Sequence, residues 1–379
     1  MRPERPSLKL LGLGLNAVFI GQTALAVPNA FVSRDLSNGQ IVSFNVLLVS
    51  VAILANAALF AGRRRIGSGQ IPLLLGSVLA ATGAILLATT APPLVAAPFI
   101  ACSSVVFPLT VSQVSRSPDP GAMARARQFF IVGYVIGLLS VSGLALTGLS
   151  IASLGVAAAV QFLSLIASAL SGNHERSVTT DVPATGDRAT SSAAPIKVIV
   201  LAAAAVFFMR SGDAIRQSYL PLYIHHIGLP SGTSSLLMAL TAVIEIAVLP
   251  LIAYWAHGRP GQGVLTITTV VGCVSFLLLA TQSHSWALVS SQVLYAFFVA
   301  GYQSLGIVWM QRLLPDSSSG GAALYTVAVQ SGSVLGLVSA LASPNFSANL
   351  FLFAACFVAV AAASVLLGSA FSRREVSQE

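Results

Sequence analysis

This sequence has little charge and little cysteine, and both shortages limit what it can be. Charged residues make up only 8% of the chain, whereas 56% of residues are hydrophobic and the mean hydropathy is +0.87. Soluble domains typically carry about 25% charged residues. The composition therefore excludes an ordinary soluble protein and predicts an all-α membrane protein.

Sequence features typical of enzymes and metal proteins are also missing. Cys102, Cys273 and Cys356 lie inside apolar stretches, and their spacing fits neither a metal site nor a redox pair. We find no nucleophile–base set, no His-rich metal spacing and no phosphate-binding glycine loop. We therefore expect no cofactor, no bound metal and no enzymatic activity. The net charge of +8 is divided among short segments, so it does not predict nucleic-acid binding.

Long apolar runs are what the sequence does contain. A helix that crosses a bilayer needs about 20 apolar residues. Twelve such stretches begin near Leu8, Ile41, Ile71, Pro93, Ala124, Ile151, Ile196, Thr233, Val264, Trp286, Ala322 and Leu350. The sequence thus predicts twelve transmembrane helices.

The basic residues alternate with these spans, so their positions predict the topology. Arginines and lysines precede span one and lie between spans two and three, four and five, and six and seven, whereas the opposite side has only Arg34. Cytoplasmic loops carry an excess of Lys and Arg. We therefore expect a multi-pass protein of the bacterial inner membrane with both termini in the cytoplasm. We read the first apolar run as span one and not as a cleaved signal peptide, because it is long and has no clear cleavage site.

A polar, Ser/Thr-rich stretch over 172–195 divides the chain in two. It has too few large apolar residues to fold alone, which predicts a cytoplasmic linker between six-helix bundles at 1–171 and 196–379. The halves resemble distant repeats, since Ala17-Val18-Phe19 matches Ala205-Val206-Phe207. Two pseudo-symmetric six-helix bundles around a site at the membrane midplane are the major facilitator architecture.

Span seven contains charges where a span is expected to be apolar. Arg210, Asp213 and Arg216 are three residues apart, so each arginine can reach the carboxylate on one helix face. Arg210, Asp213 and Gln217 fall within an arc of about 60°. Intramembrane ionisable residues usually mark a substrate or proton pathway. Two alternatives are a purely structural Arg–Asp–Arg clamp and a span that starts later, which would leave Arg216 near the outer surface.

Glu245 lies inside the apolar run of span eight. A buried carboxylate has to pair with a cation or carry a proton. We therefore predict Asp213 and Glu245 as the proton-coupling residues. The alternative for Glu245 is a neutral, hydrogen-bonded packing role.

Amide and aromatic side chains recur at helical spacing in other spans, as expected for contacts to a neutral hydroxylated ligand, although bonds between helices would use the same groups. The predicted substrate-binding residues are Gln22, Arg210, Gln217, Gln292, Tyr295, Tyr302, Trp309 and Tyr325. Gln22 occupies the position in span one that is equivalent to Arg210 in the repeat. The expected partners are a small-molecule substrate, protons and the lipid bilayer, and we expect a monomer.

Four motifs in the second half resemble the bacterial sugar efflux transporter family of the major facilitator superfamily. They are LPLYI at 220–224, Glu-Ile at 245–246, MQRLLP at 310–315 and GAALYT at 321–326. The resemblance places Glu245, Trp309, Gln311 and Tyr325 at family positions. The first half departs from the superfamily, because its basic cluster at 63–65 has no acidic residue ahead of it.

The resemblance implies export of sugars or glycoside-like solutes, driven by proton entry and working by alternating access. One alternative is efflux of multiple drugs or lipophilic compounds on the same fold, which an aromatic and aliphatic cavity would favour. Another is a membrane receptor or scaffold that transports nothing. A short linker and the absence of a soluble domain in the sequence argue against the receptor.

Overall fold

A computed structural model of the chain describes residues 8–62, 70–89, 91–105, 122–146, 152–171, 195–257, 261–281, 285–314 and 318–376. Twelve α-helices account for most of these residues: α1 (Leu8–Ser33), α2 (Asn38–Gly62), α3 (Gln70–Ala88), α4 (Pro93–Ala101), α5 (Ala122–Leu146), α6 (Ala152–Ser171), α7 (Ile196–His226), α8 (Ser231–His257), α9 (Gly261–Ala280), α10 (Ser285–Leu313), α11 (Ser318–Ser339) and α12 (Asn349–Val376). Short 3₁₀ turns follow α4 and α11.

The helices begin within a few residues of the twelve predicted apolar stretches, which confirms the all-α membrane fold. Eight of them are long and apolar enough to cross a membrane, namely α1, α2 and α7 to α12. The apolar parts of α3, α4, α5 and α6 that the structure describes are shorter. The backbone N–H and C=O groups of a helix bond to one another within the helix. A helix can therefore cross a medium that contains no water.

The chain forms two compact units, and neither is continuous in sequence. The first combines 1–176 with 218–243, and the second combines 177–217 with 244–379. Both α7 and α8 therefore contribute one end to each unit. The linker predicted at 172–195 lies outside the described residues except for Pro195, as does the basic cluster at 63–65. The predicted division into 1–171, 172–195 and 196–379 stays a prediction.

In the first unit, two glycines bring α5 against the backbone of α1. A Cβ atom on Gly133 would overlap the carbonyl oxygen of Gly14, and one on Gly137 would overlap that of Val18. Small residues spaced four apart allow helix backbones to approach closely in membranes. Gly21 of α1 makes the reciprocal contact with the carbonyl of Tyr134.

The second unit repeats this packing between α7 and α11. A Cβ atom on Gly332 would overlap the carbonyl oxygen of Phe207, and one on Gly336 would overlap that of Ser211. The segments that carry the glycines also match in sequence, as GYVIGLLS at 133–140 and GSVLGLVS at 332–339. The internal repeat inferred from α1 and α7 thus extends to the helices that pack against them.

Helix α7 runs unbroken through Gly212 and Pro221, although glycine and proline often kink a helix. Gly212 instead permits close packing, because a Cβ there would lie 2.8 Å from Cγ2 of Val358 and 3.1 Å from the carbonyl oxygen of Ala354, both on α12. Thirty-one residues at about 1.5 Å each make α7 longer than the hydrocarbon core of a bilayer.

Arg34, the basic residue on the sparsely charged side, caps a helix. Its guanidinium donates to the carbonyl oxygens of Leu87, Thr89 and Ala91, at the end of α3. The last carbonyls of a helix have no partner within the helix and attract cations. The contact therefore explains why an arginine lies on this side.

Candidate functional site

Asp213 is the centre of a buried polar cluster in the second unit. Its carboxylate lies in the middle of α7 and has no exposed surface. The residues before it, from 196 to 209, are almost all apolar, so the helix carries the carboxylate deep into the membrane-spanning part of the fold. A charge in such a position requires partners.

Four side chains donate hydrogen bonds to this carboxylate. Arg210 and Gln217 reach it along α7, and the hydroxyls of Tyr295 and Tyr302 reach it from α10. The Gln217 amide lies 3.1 Å from one carboxylate oxygen and 3.2 Å from the other. Arg210, Asp213 and Gln217 thus share one face of α7, as the helical spacing predicts.

Arg210 links this cluster to α11. Its Nε atom donates to Ser333 Oγ at 2.7 Å, and its Nη1 atom also lies 3.3 Å from Gln217 Oε1. The Arg210 side chain remains 21% exposed, so one edge of the cluster is accessible. Ser333 is not among the predicted site residues. Its position next to Gly332, at the close contact between α7 and α11, is the signal that identifies it.

Arg216 lies on the α10 side of the cluster and is almost fully buried. Its guanidinium donates to Gln292 Oε1, and its central carbon lies 3.8 Å from the ring centroid of Tyr295. Gln292 in turn donates to Ser291 Oγ at 2.9 Å. Arg216 therefore pairs with groups of α10 inside the protein, whereas its depth in the membrane stays a prediction.

Aromatic rings hold the two tyrosines in place. Phe276 of α9 packs edge-on against both Tyr295 and Phe298, with ring centroids 5.9 Å apart in each pair. Phe298 also contacts Tyr302, with centroids 5.1 Å apart. These rings exclude water from one side of the carboxylate, and electrostatic interactions strengthen where water is excluded.

Three further predicted residues lie elsewhere in the second unit. The Tyr325 ring of α11 packs over Gly306 of α10, and Trp309 packs against Gly368 of α12. Glu245 is half-buried on α8, one turn before Val248. The assignment of these three as substrate-binding or proton-coupling residues stays a prediction.

Gln22 lies in the first unit, at the close contact between α1 and α5. Its amide nitrogen donates to Ser140 Oγ at 2.9 Å, and its side chain is 1% exposed. Its Oε1 atom has no hydrogen-bond partner among the described residues. Gln22 and Arg210 each donate to a serine on the helix packed against them, but the two serines, Ser140 and Ser333, are not equivalent positions of the repeat.

The first unit also contains a buried amide pair that the sequence analysis missed. Gln161 of α6 donates to Asn16 Oδ1 at 3.1 Å, and neither side chain has exposed surface. Asn16 Nδ2 and Gln161 Oε1 have no partner in the described part of the chain. Each amide alone resembled an ordinary contact between helices, and only the fold brings them together.

Over the residues that the structure describes, no three His, Cys, Asp or Glu side chains are placed to hold one ion. The chemistry available at Asp213 is therefore hydrogen bonding, charge pairing and proton exchange. Carboxylate, phenol, amide and guanidinium groups at one buried point suit the binding of a polar solute.

Twelve apolar helices, two repeated helix contacts and a buried ionisable cluster define a multi-pass membrane transporter of the major facilitator type. The family model described as "MFS_1 like family" matches residues 34–361, and the chain belongs to that family. The chain therefore has the fold and family of major facilitator transporters.

Two curated relatives match part of the chain. Sugar efflux transporter A of Dickeya chrysanthemi is 26% identical over 126 residues, which cover 32% of this chain and 32% of the relative. Sugar efflux transporter A of Escherichia coli (strain K12) is 26% identical over 117 residues, which cover 31% of this chain and 30% of the relative. The match thus spans about a third of the length of each relative.

Solved structures match nearly the whole chain. The nucleoside transporter NupG, as a D323A mutant, superposes with a TM-score of 0.78 at 14% identity, covering 95% of this chain and 98% of that one. The POT family transporter PepTSo gives a TM-score of 0.73 at 12% identity, with 98% of each chain covered. At these identities the likeness shows the fold alone.

Proposed function

We propose that this protein exports sugars or glycoside-like solutes in exchange for protons. The observation that carries the proposal is the buried Asp213 carboxylate, on which two phenols, an amide and a guanidinium converge. The partial match to two sugar efflux transporters supports the substrate class.

Asp213 is suited to coupling because all four partners donate to it. As an anion the carboxylate accepts every one of these bonds. When a proton binds, the acid has a hydroxyl to donate, so at least one partner has to turn away or reverse its own hydrogen bond. A tyrosine hydroxyl can reverse its role, whereas Arg210 cannot accept. Protonation therefore weakens the Arg210 contact first.

Release of Arg210 would change the contacts among three helices. Its Nε atom already bonds to Ser333 on α11, while Asp213 bonds to the tyrosines of α10. The protonation state of one carboxylate thus decides whether the bonds of α7 to α10 and to α11 join into one continuous network. Such a two-state contact is what alternating access of two bundles requires.

The hydroxyl groups of a sugar can take the place of the side chains that donate hydrogen bonds to Asp213. Gln217 and Arg210 form the accessible edge of the cluster, since the Arg210 side chain keeps 21% of its surface exposed. A sugar hydroxyl both donates and accepts, so it can bond to Asp213 and to an amide at once. Gln292, Tyr295 and Tyr302 complete the proposed contacts in this unit, with Trp309 and Tyr325 farther along the helices. Gln22, in the first unit, is a further proposed contact, and its Oε1 has no hydrogen-bond partner among the described residues.

Glu245 is the second proposed proton-coupling residue. It lies on a span of 27 residues in which it is the only acidic side chain. A carboxylate in such a segment is costly when ionised, which favours exchange with a proton. The proposed role of Glu245 is independent of the role of Asp213, so the variants Glu245→Gln and Asp213→Asn test the two residues separately.

The remaining assignments follow from the charge pattern. The excess of basic residues on one side supports an inner-membrane protein with both termini in the cytoplasm. The 1–171 and 196–379 halves would rock around the midplane, and a monomer would suffice for transport. Surrounding lipid would contact the exposed apolar side chains of the spans.

Transport in inside-out vesicles tests the proposal. With an acidic lumen, the protein is expected to accumulate labelled mono- or disaccharides or glycosides, and an uncoupler is expected to abolish the accumulation. Asp213→Asn and Glu245→Gln are expected to remove the response to the uncoupler, whereas Tyr254→Phe, at a residue that is 77% exposed, serves as the control.

The outcome decides among the alternatives. Accumulation of a lipophilic cationic dye without any sugar would replace sugar export by multidrug efflux. If folded protein moves no solute, transport of this substrate class is wrong. If both carboxylate variants still accumulate sugar against a gradient, proton coupling runs through other groups.

A further inference from the structure

A cleft lies between the beginning of α7 and the end of α12, away from the Asp213 cluster. It measures about 360 Å³ and is lined by Ile196, Lys197, Val200, Leu201 and Phe371. Four of these five side chains are apolar. Ile196 is 72% exposed and Val200 is 58% exposed, so the cleft opens outward rather than into the protein.

A glycine and a tryptophan lie next to Leu201, one of the residues that line the cleft. A Cβ atom on Gly368 would lie 3.6 Å from Cζ2 of Trp309 and 3.7 Å from Cβ of Leu201, so the missing side chain leaves a notch between the helices. The Trp309 ring is buried, and its indole nitrogen has no acceptor among the described residues. The notch is therefore apolar, with one unused donor beneath it.

Lys197 supplies positive charge at the cleft, because it lines the cleft and is exposed in the first turn of α7. In the sequence, the part of α12 beyond Phe371 adds Arg373, Arg374 and Glu375. Counted by sequence, these two helix ends hold two more cationic than anionic residues. The charge pattern of the sequence predicts that both ends lie at the cytoplasmic face, where the membrane surface is anionic.

We propose that this cleft binds an anionic glycerophospholipid of the cytoplasmic leaflet. One acyl chain lies against Val200, Leu201 and Phe371, and the phosphate lies beside the Lys197 ammonium. The lining offers no hydrogen-bonding groups apart from that ammonium, so it does not suit a sugar. Basic pockets between spans on this side of a membrane bind anionic headgroups.

Lipid retention measured by native mass spectrometry tests the site directly and needs no transport assay. Protein in neutral detergent is titrated with phosphatidylglycerol or phosphatidylcholine of the same chain length. Wild type is expected to retain phosphatidylglycerol in preference to phosphatidylcholine. Lys197→Gln is expected to bind it about fivefold more weakly, as one basic residue near a membrane surface contributes.

Two further variants separate the site from general charge. Ile196→Asp places a negative charge in the cleft, where an acidic residue at a helix start is tolerated, and it is expected to lose the retained lipid. Arg312→Gln removes another basic residue at a helix end and is expected to bind like wild type. If Lys197→Gln and Arg312→Gln weaken the binding of phosphatidylglycerol equally, the lipid is held only by general attraction to positive charge and not by this cleft. Equal retention of both lipids would overturn the anionic preference. Either result contradicts the proposal.

Discussion

Arg210 and Asp213 form an ion pair one helical turn apart on α7, with Nη1 of the arginine donating to Oδ2 of the aspartate. The aspartate has no exposed side-chain surface, whereas the arginine retains 21%. Solvent therefore reaches the ion pair only at the Arg210 side chain. Any solute or proton that separates the two must compete with Arg210 at that edge.

Removing one member of the pair is expected to destabilise the protein more than removing both. Asp213→Asn leaves Arg210 without a counter-charge on α7, and breaking a buried pair costs about 3 kcal/mol. In the double variant Arg210→Gln with Asp213→Asn, the free energy of unfolding in mixed micelles is expected to recover by more than half. If the loss of unfolding free energy in the double variant equals the sum of the losses in the two single variants, the two side chains do not interact energetically.

The tyrosine hydroxyls are expected to act on both stability and transport. Tyr295→Phe and Tyr302→Phe each remove one donor to Asp213 and keep the ring packing, so each is expected to cost about 1–3 kcal/mol of unfolding free energy. The apparent affinity for the transported solute is expected to change as well, measured by its KM in vesicles. Tyr254→Phe is the matched control. Unchanged stability and KM in both variants would remove the phenols from the site.

The close contact of α1 and α5 predicts opposite effects for two glycines on the same helix. Gly137→Ala places a Cβ against the Val18 carbonyl and is expected to destabilise by about 1–3 kcal/mol. Gly143 has nothing within 4 Å of its Cβ position, so Gly143→Ala is expected to be neutral or to stabilise by up to about 1 kcal/mol. Thermal unfolding of the two variants measures the difference, and equal melting temperatures would contradict the packing.

Ser142 of α5 and Ser235 of α8 are in hydroxyl contact within the first unit, near the ends of α5 and α8 that the charge pattern places at the outer face. In a chain with Cys102, Cys273 and Cys356 replaced, Ser142→Cys with Ser235→Cys is expected to form a disulfide on oxidation, since bridged residues need their Cβ atoms about 3.5–4.5 Å apart. If export requires these ends of α5 and α8 to separate, the disulfide is expected to stop export. Reduction of the disulfide is expected to restore it.

The single variant Ser142→Cys in the same background controls for the substitutions. It is expected to transport under both oxidising and reducing conditions. A cross-linked protein that transports at the normal rate would show that α5 and α8 stay together throughout the cycle.

Sequence alone predicted the helices and the polar face of α7, because both depend on local periodicity. An apolar run of sufficient length has to form a helix in a membrane, whatever its neighbours are. Arg210, Asp213 and Gln217 share a face through the 3.6-residue repeat, and the contacts among them match that prediction. The charge pattern likewise yields a topology without any tertiary information.

Contacts between helices depended on the tertiary structure. Nothing local to α10 indicates that Tyr295 and Tyr302, rather than Trp309, reach Asp213, since all three lie on the same helix. The contacts of Ser333 and of the Asn16–Gln161 pair cannot be predicted from the sequence either. A polar residue in a span resembles any other polar residue until its neighbour in the fold is known. Hydrophobicity is non-directional and selects the spans, whereas hydrogen bonds are directional and are fixed only when the helices pack.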